Sequence, residues 1–229
     1  MEFASILDYQ DRLTEIVESA YRILCQKVAG NRITIYNEAS LQLHLGAALK
    51  TLGELYEFSA DTGERFVIEL EKTIEIPVTS KSNGKARCDI AIAFNKGSTV
   101  LAQALIELKY FKASIDQNSA EATKDNRFSL FMDMENLEKY RETKENSKIP
   151  TLCYEIAIAQ NYTYANPLAK ASLKTGNGCM TDDSRTFTDT NDTCLVRYTT
   201  RKPIDLKGNY LFEWTSYANN KHCLIIKLK

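Results

Sequence analysis

The stretch Val100-Leu-Ala-Gln-Ala-Leu-Ile-Glu-Leu-Lys-Tyr-Phe-Lys112 decides how the rest of the chain is arranged. It carries the aliphatic and aromatic residues of a strand until Glu107 and Lys109 interrupt them. Side chains two apart on a strand project to one face, so this carboxylate and this ammonium enter the same space. A charge pair on an apolar central strand is costly unless it finds partners. Just upstream, Arg87-Cys-Asp-Ile-Ala-Ile-Ala-Phe94 reads as a second strand, joined to the first by the turn Asn95-Lys-Gly-Ser98. There Cys88, Ile90, Ile92 and Phe94 take one face, while Asp89 shares the other with the small Ala91 and Ala93. A hairpin brings Asp89 near Glu107 and Lys109, with alanines leaving room beside them. A structural ion pair would account for Glu107 and Lys109 alone; the acid on the second strand raises the functional reading.

Two carboxylates and a lysine at the end of a hairpin suit metal-dependent phosphodiester hydrolysis. Hard oxygen ligands hold Mg²⁺, which keeps several waters and takes further ligands from phosphate. The bound cation lowers the pKa of a water and neutralises charge developing on the phosphate. A lysine beside it orients or deprotonates that water, or stabilises the phosphoryl oxygens. Asp89 followed by Glu107-Leu108-Lys109 resembles the D…(D/E)-x-K signature of the PD-(D/E)XK, or restriction-endonuclease-like, nuclease superfamily. The resemblance implies that Asp89 and Glu107 ligate Mg²⁺, with Mn²⁺ able to substitute, and that Lys109 serves the nucleophile. It also implies that the backbone carbonyl of Leu108 completes the shell. Cys88 stands where the nominal motif has proline, a position that varies widely in the superfamily.

Residues 37–53, Asn-Glu-Ala-Ser-Leu-Gln-Leu-His-Leu-Gly-Ala-Ala-Leu-Lys-Thr-Leu-Gly, read as a helix with Asn37 as N-cap and Gly53 as its stop. Its apolar stripe is Leu41, Leu45, Ala48, Leu49 and Leu52. Glu38 falls inside that stripe and Gln42 at its edge. A first-turn glutamate that favours the helix dipole would explain Glu38 by itself. In the nuclease superfamily a helix before the core hairpin often gives a glutamate to the metal site, and Glu38 at the head of this helix resembles that element. Glu38 is therefore carried as a catalytic and metal-site candidate, and Gln42 as a substrate contact.

The remaining segments frame this core. Residues 4–28 form a packing helix, with Leu13, Ile16, Val17, Ala20, Ile23 and Leu24 at helical spacing and Gly30-Asn31 ending it. Residues 65–77 alternate as a strand closed by Pro77, with Glu69, Glu71 and Glu75 on a solvated face and outside the site. The polar run 113–126 borders a cleft or forms a lid, or is merely solvated. A helix follows over 127–141, with Leu130, Met134, Leu137 and Tyr140 as its apolar line and Asp133 beside it. Asn136-x-x-x-Tyr140 resembles the Gln-x-x-x-Tyr element of RecB-like nucleases, with Asn in place of Gln, which makes Asn136 and Tyr140 substrate-contact candidates. A packing helix explains the same residues. Residues 150–160 read as a central strand short on charges, reached by a βαβ crossover that gives parallel pairing. The polar, partly basic run 161–191, with Lys170, Lys174 and Arg185, is a phosphate-backbone contact or a loop. Strands are expected at 194–198, 210–214 and 222–228 as additions to the sheet's edge or a small β subdomain, and Arg197, Arg201, Lys202 and Lys207 line a substrate groove or are scattered surface cations.

The expected fold is α/β, a restriction-endonuclease-like mixed β-sheet core flanked by helices, with additional C-terminal β-strands. One domain spans 1–229, its core about 37–160 and its β elaboration about 193–229. With 44% hydrophobic and 26% charged residues the composition is that of a globular protein, and a net charge of −1 argues against a broad basic surface for coating nucleic acid. No apolar run reaches membrane-span length, so no membrane partner and a cytoplasmic location are expected. Six scattered cysteines and two histidines suit buried thiols better than disulfides or zinc. The reading is a Mg²⁺-dependent endonuclease with DNA as substrate, of the type II restriction or a related defence or repair kind. A homodimer is expected if both strands of a duplex are cut. The alternative is a nuclease fold that no longer cuts and serves as a binding or assembly module.

Overall fold

Apolar residues at helical spacing draw Ile6–Ala29 into α1, and Leu13, Ile16, Val17, Ala20 and Leu24 are buried along it. Burying each large aliphatic side chain contributes roughly 1.5–3 kcal/mol. The computed structural model describes residues 6–57, 63–76, 84–112, 119–142, 148–169, 173–184 and 204–229. Asn31, at φ 51°, takes the left-handed position that ends α1. The Arg32 N–H then donates to the Lys27 carbonyl at 2.9 Å and the Asn31 N–H to the Val28 carbonyl at 3.2 Å.

The second helix, α2 (Glu38–Leu55), starts at a reciprocal cap. The Ser40 N–H donates to Asn37 Oδ1 at 2.8 Å and the Asn37 N–H to Ser40 Oγ at 3.1 Å. Gly53 does not stop this helix, as the sequence suggested; two more residues follow it. Its missing side chain serves packing instead, because a Cβ there would lie 2.2 Å from the Phe66 ring.

Six strands follow: β1 (Glu64–Glu75), β2 (Lys85–Lys96), β3 (Thr99–Phe111), β4 (Thr151–Ala159), β5 (Thr215–Tyr217) and β6 (Lys221–Leu228). They form one sheet in the order β1-β2-β3-β4-β6-β5. Strands β1, β2 and β3 make an antiparallel meander, and Gly97 at φ 58° turns β2 into β3. The Gln103 N–H reaches the Pro150 carbonyl at 2.9 Å and the Gln160 N–H reaches that of Phe111 at 2.8 Å, so β4 runs parallel to β3. The connection is α3 (Ser119–Glu142), and the sheet is mixed, as expected. Helix α3 starts eight residues earlier than the sequence pattern suggested, so 119–126 is its first turns rather than loop. Residues 113–118 lie outside the described residues.

By contact density the chain divides into two compact units, Met1–Leu108 with Lys139–Tyr154, and Lys109–Glu138 with Glu155–Lys229. In the first unit, α2 lies over the β1 face that carries Ile68 and Leu70, against which Gly46 packs. Cys88, Ile90, Ile92 and Phe94 are fully buried, as their alternation implied. Arg12 and Glu64 form a buried ion pair at 2.9 Å, with the guanidinium 4.3 Å from the Tyr9 ring centroid and 4.6 Å from that of Phe94.

In the second unit, Glu135 and Glu138 of α3 tie down the segment that precedes β5. Glu135 accepts the Asp205 N–H, and Glu138 accepts the N–H groups of Lys207 and Gly208 and the Tyr210 hydroxyl. The segment 210–214 is not a strand of the sheet as its alternation suggested: its backbone bonds instead to 178–181, where the Tyr210 carbonyl accepts the Thr181 N–H at 2.9 Å, the Phe212 N–H donates to the Cys179 carbonyl at 2.9 Å, and Leu211 forms an isolated bridge to Met180. The strand expected at 194–198, together with Pro77, Lys170, Arg185, Arg197, Arg201 and Lys202, lies outside the described residues. Among the described residues no helix is long and apolar enough to cross a membrane, and the five described cysteines are free.

Candidate functional site

Pairing between β2 and β3 runs from Lys96–Thr99 to Ile90–Ile106 across a bulge between Phe94 and Asn95, and the next residues out are Asp89 and Glu107. Continuing the same register sets these two opposite each other on one face. Instead of a further backbone pair, the Leu108 N–H donates to Asp89 Oδ2 at 2.7 Å. The carboxylate thus occupies the place of a ladder carbonyl. A strand residue directs its N–H and C=O to the same neighbour in an antiparallel pair, so the Leu108 carbonyl faces the same gap. Asp89 is half-buried, and Glu107 is 4% exposed. The sequence leads one to expect Asp89 near Glu107 and Lys109; the bond seen here is from Asp89 to the backbone of Leu108, the residue between them.

Cys88 lies directly behind. Its thiol donates to the backbone carbonyls of Ile90 and Ile106 at 3.3 and 3.4 Å. Burial pushes the thiol well above its usual range, and the charge of Glu107 pushes it further. Cys88 therefore stays protonated and supplies neither nucleophile nor soft ligand.

On α2, Gln42 reaches the site. Its Nε2 donates to the Asp89 backbone carbonyl at 2.7 Å and to Glu71 Oε1 at 2.9 Å. Glu71 Oε2 in turn holds Arg87 Nε at 2.7 Å. The sequence reading set Glu71 aside as one acid on a solvated strand, and alternation alone gave no reason to separate it from Glu69 and Glu75. Glu38 lies exposed in the first turn of α2, one turn before Gln42, rather than within the buried stripe.

Along β3, alternation places Lys109 on the same strand face as Glu107. Within the second unit its ammonium forms an ion pair with the carboxylate of Asp133 on α3, and each side chain is 13% exposed. The sequence reading noted Asp133 beside the apolar line without giving it a partner; a lysine on a buried strand demands one. Asn136 is half-buried one turn further along α3. Tyr140 is buried, and its hydroxyl accepts from Gln103 Nε2 at 2.8 Å, so it is engaged within the first unit. Glu155 of β4 is fully buried, a charge that the reading of that strand passed over.

The donors just beyond the last β2–β3 backbone pair are all hard oxygens: Asp89, Glu107 and the Leu108 carbonyl. Among the described residues no three His, Cys, Asp or Glu side chains cluster as a metal site. Two carboxylates and a carbonyl suit Mg²⁺, which commonly takes one or two carboxylates and keeps its waters, and do not suit zinc. No protein-family model matches the chain, and neither the curated proteins nor the solved structures include a detectable match.

Proposed function

We propose that this protein is a Mg²⁺-dependent endonuclease of the PD-(D/E)XK kind, hydrolysing phosphodiester bonds in DNA. The observation that carries the reading is the 2.7 Å bond from the Leu108 N–H to Asp89, which joins the aspartate of one strand to the Glu107-Leu108-Lys109 tripeptide of the next. The element order supports it as well: a helix, an antiparallel meander, a helical crossover and a parallel strand. On this reading Asp89, Glu107 and the Leu108 carbonyl would hold the cation, and Mn²⁺ would substitute for Mg²⁺. The bound cation supplies an activated water and neutralises charge on the phosphate. Glu38, exposed at the head of α2, contributes to the outer shell. Lys109 stabilises the phosphoryl oxygens or orients the attacking water, and Asp133 fixes the direction of its ammonium. Gln42 and Asn136 are the remaining candidates for contact with the nucleic acid. Two copies acting together would cut both strands of a duplex.

Two observations favour the second reading, a nuclease fold retained as a binding module: Glu107 is 4% exposed, and Lys109 is already ion-paired. The two are separated by incubating the purified chain with supercoiled plasmid, linear duplex, single-stranded DNA and RNA, in Mg²⁺, Mn²⁺ or EDTA. Cation-dependent cleavage of DNA that disappears in Glu107→Gln, with folding retained, supports the enzyme. No cleavage of any substrate with either cation favours the module.

A further inference from the structure

We propose that Glu71 and Gln42 are positioning residues that set where the Asp89 carboxylate lies for the cation. The inference rests on the nuclease reading; it adds Glu71 to the site and gives Gln42, there a candidate contact with the nucleic acid, a positioning role. Of the four acids on β1, Glu64 is buried, and Glu69, Glu71 and Glu75 are all exposed. Glu69 has an ordinary partner, Lys72 on its own strand at 3.6 Å. Glu71 differs in three respects, and all three point to Asp89.

First, Glu71 has φ 56°, a left-handed conformation in the middle of a strand. A residue with a Cβ adopts that conformation only where its surroundings hold it there. Second, the pairing between β1 and β2 includes Leu70–Ile90 and Lys72–Cys88 but skips the row between them, which is Glu71 and Asp89. Unbroken register would have set these two carboxylates directly opposite each other, an unfavourable like-charge pair. Third, the Glu71 carboxylate is instead engaged by Gln42 Nε2 at 2.9 Å and Arg87 Nε at 2.7 Å. The same Gln42 nitrogen donates to the Asp89 backbone carbonyl at 2.7 Å.

The result is a continuous relay in the first unit. Arg87 holds Glu71, Glu71 orients the Gln42 amide, and Gln42 fixes the backbone of Asp89. Asp89 in turn receives the Leu108 N–H. Removing Gln42 or the Glu71 carboxylate leaves every proposed ligand in place and frees the strand that carries one of them. A site whose ligands are held by a supporting shell loses cation affinity when that shell is removed.

The test compares Gln42→Ala, Glu71→Gly and Glu71→Asn with wild type. Glycine and asparagine both tolerate the left-handed backbone, so neither variant adds strain. Glu71→Gln, which keeps an oxygen for Gln42, is the conservative control. Two quantities are measured: the hydrogen-exchange rate of the Leu108 amide, and the Mn²⁺ concentration for half-maximal cleavage of duplex DNA. Gln42→Ala, Glu71→Gly and Glu71→Asn are expected to speed Leu108 exchange about tenfold, while the Phe94 and Ala104 amides are unchanged. They are also expected to raise the half-maximal Mn²⁺ concentration about tenfold or more, with a smaller fall in maximal rate and recovery in Glu71→Gln. Unchanged Leu108 exchange and Mn²⁺ dependence in folded variants overturn the positioning role and leave the nuclease standing. A wild-type chain that neither cleaves DNA nor binds Mn²⁺ overturns the nuclease reading and this inference with it.

Discussion

Replacing Asp89 separates what its carboxylate does for the fold from what it does for a cation. One oxygen accepts the Leu108 N–H at 2.7 Å, a charge-assisted bond at a half-buried position. In Asp89→Asn the amide oxygen can keep that bond as a neutral one, so stability should fall by only about 1 kcal/mol. In Asp89→Ala the Leu108 N–H loses this acceptor, and the cost rises to about 1–3 kcal/mol. Cleavage should not follow that order. Both variants lose an anionic oxygen of the proposed shell, and a cation contribution of about 4 kcal/mol to the transition state corresponds to roughly 10³ in rate. Urea denaturation gives the stability ranking, and Mg²⁺-dependent nicking of supercoiled plasmid gives the rates. Asparagine should therefore be close to wild type in stability and close to alanine in activity. An asparagine variant that cuts at the wild-type rate would refute the assignment of Asp89 as a ligand. Equal melting of the two variants would show that the Leu108 bond contributes nothing to the fold.

Other parts of the molecule give further expectations. Arg12→Ala should cost about 3–5 kcal/mol in urea denaturation, because it leaves Glu64 buried at 3% exposure without this guanidinium; a loss below 1 kcal/mol would mean that solvent reaches the pair. Glu138→Ala removes the acceptor for two backbone N–H groups and the Tyr210 hydroxyl. A loss of about 3 kcal/mol or more is expected, with faster proteolysis between residues 204 and 210; an unchanged digestion pattern would count against it. His222, buried beside Ser216 and Asn220, has its pKa lowered by burial. The unfolded chain therefore binds a proton that the folded chain refuses. Stability from this group is complete above the unfolded value of about 6.5 and is lost as pH falls toward the depressed folded value. The Tm of wild type should fall more steeply between pH 7 and 5 than that of His222→Gln, and parallel curves would exclude the effect.

The candidate site was legible where it depends on covalent order. Asp89, Glu107 and Lys109 stand out because charges interrupt otherwise apolar strands, and the two-residue period puts Glu107 and Lys109 on one face. The short turn at Gly97 folds β2 back on β3, but the register counted from that turn would set Asp89 opposite Ile106, and the bulge between Phe94 and Asn95 shifts it by one residue to face Glu107. Glu71 was not legible. Its exposure and spacing match those of Glu69 and Glu75, and its distinction is a backbone dihedral and two partners from distant segments. Asp133 is separated by 24 residues from Lys109, and only packing of α3 could join them.

Local interactions explain what the sequence by itself determined: the helices, the β2–β3 hairpin and the crossover to a parallel β4. Each follows from apolar periodicity, a cap or a turn that acts within a few residues. Boundaries moved where distant groups competed. Gly53 lies inside α2, where the Phe66 ring leaves no room for a side chain, and 210–214 pairs with 178–181 instead of joining the sheet. Tertiary structure alone decided which charged side chains hold one another. An ion pair or a buried hydrogen bond depends on separation in space, and the order of residues along the chain does not encode that separation.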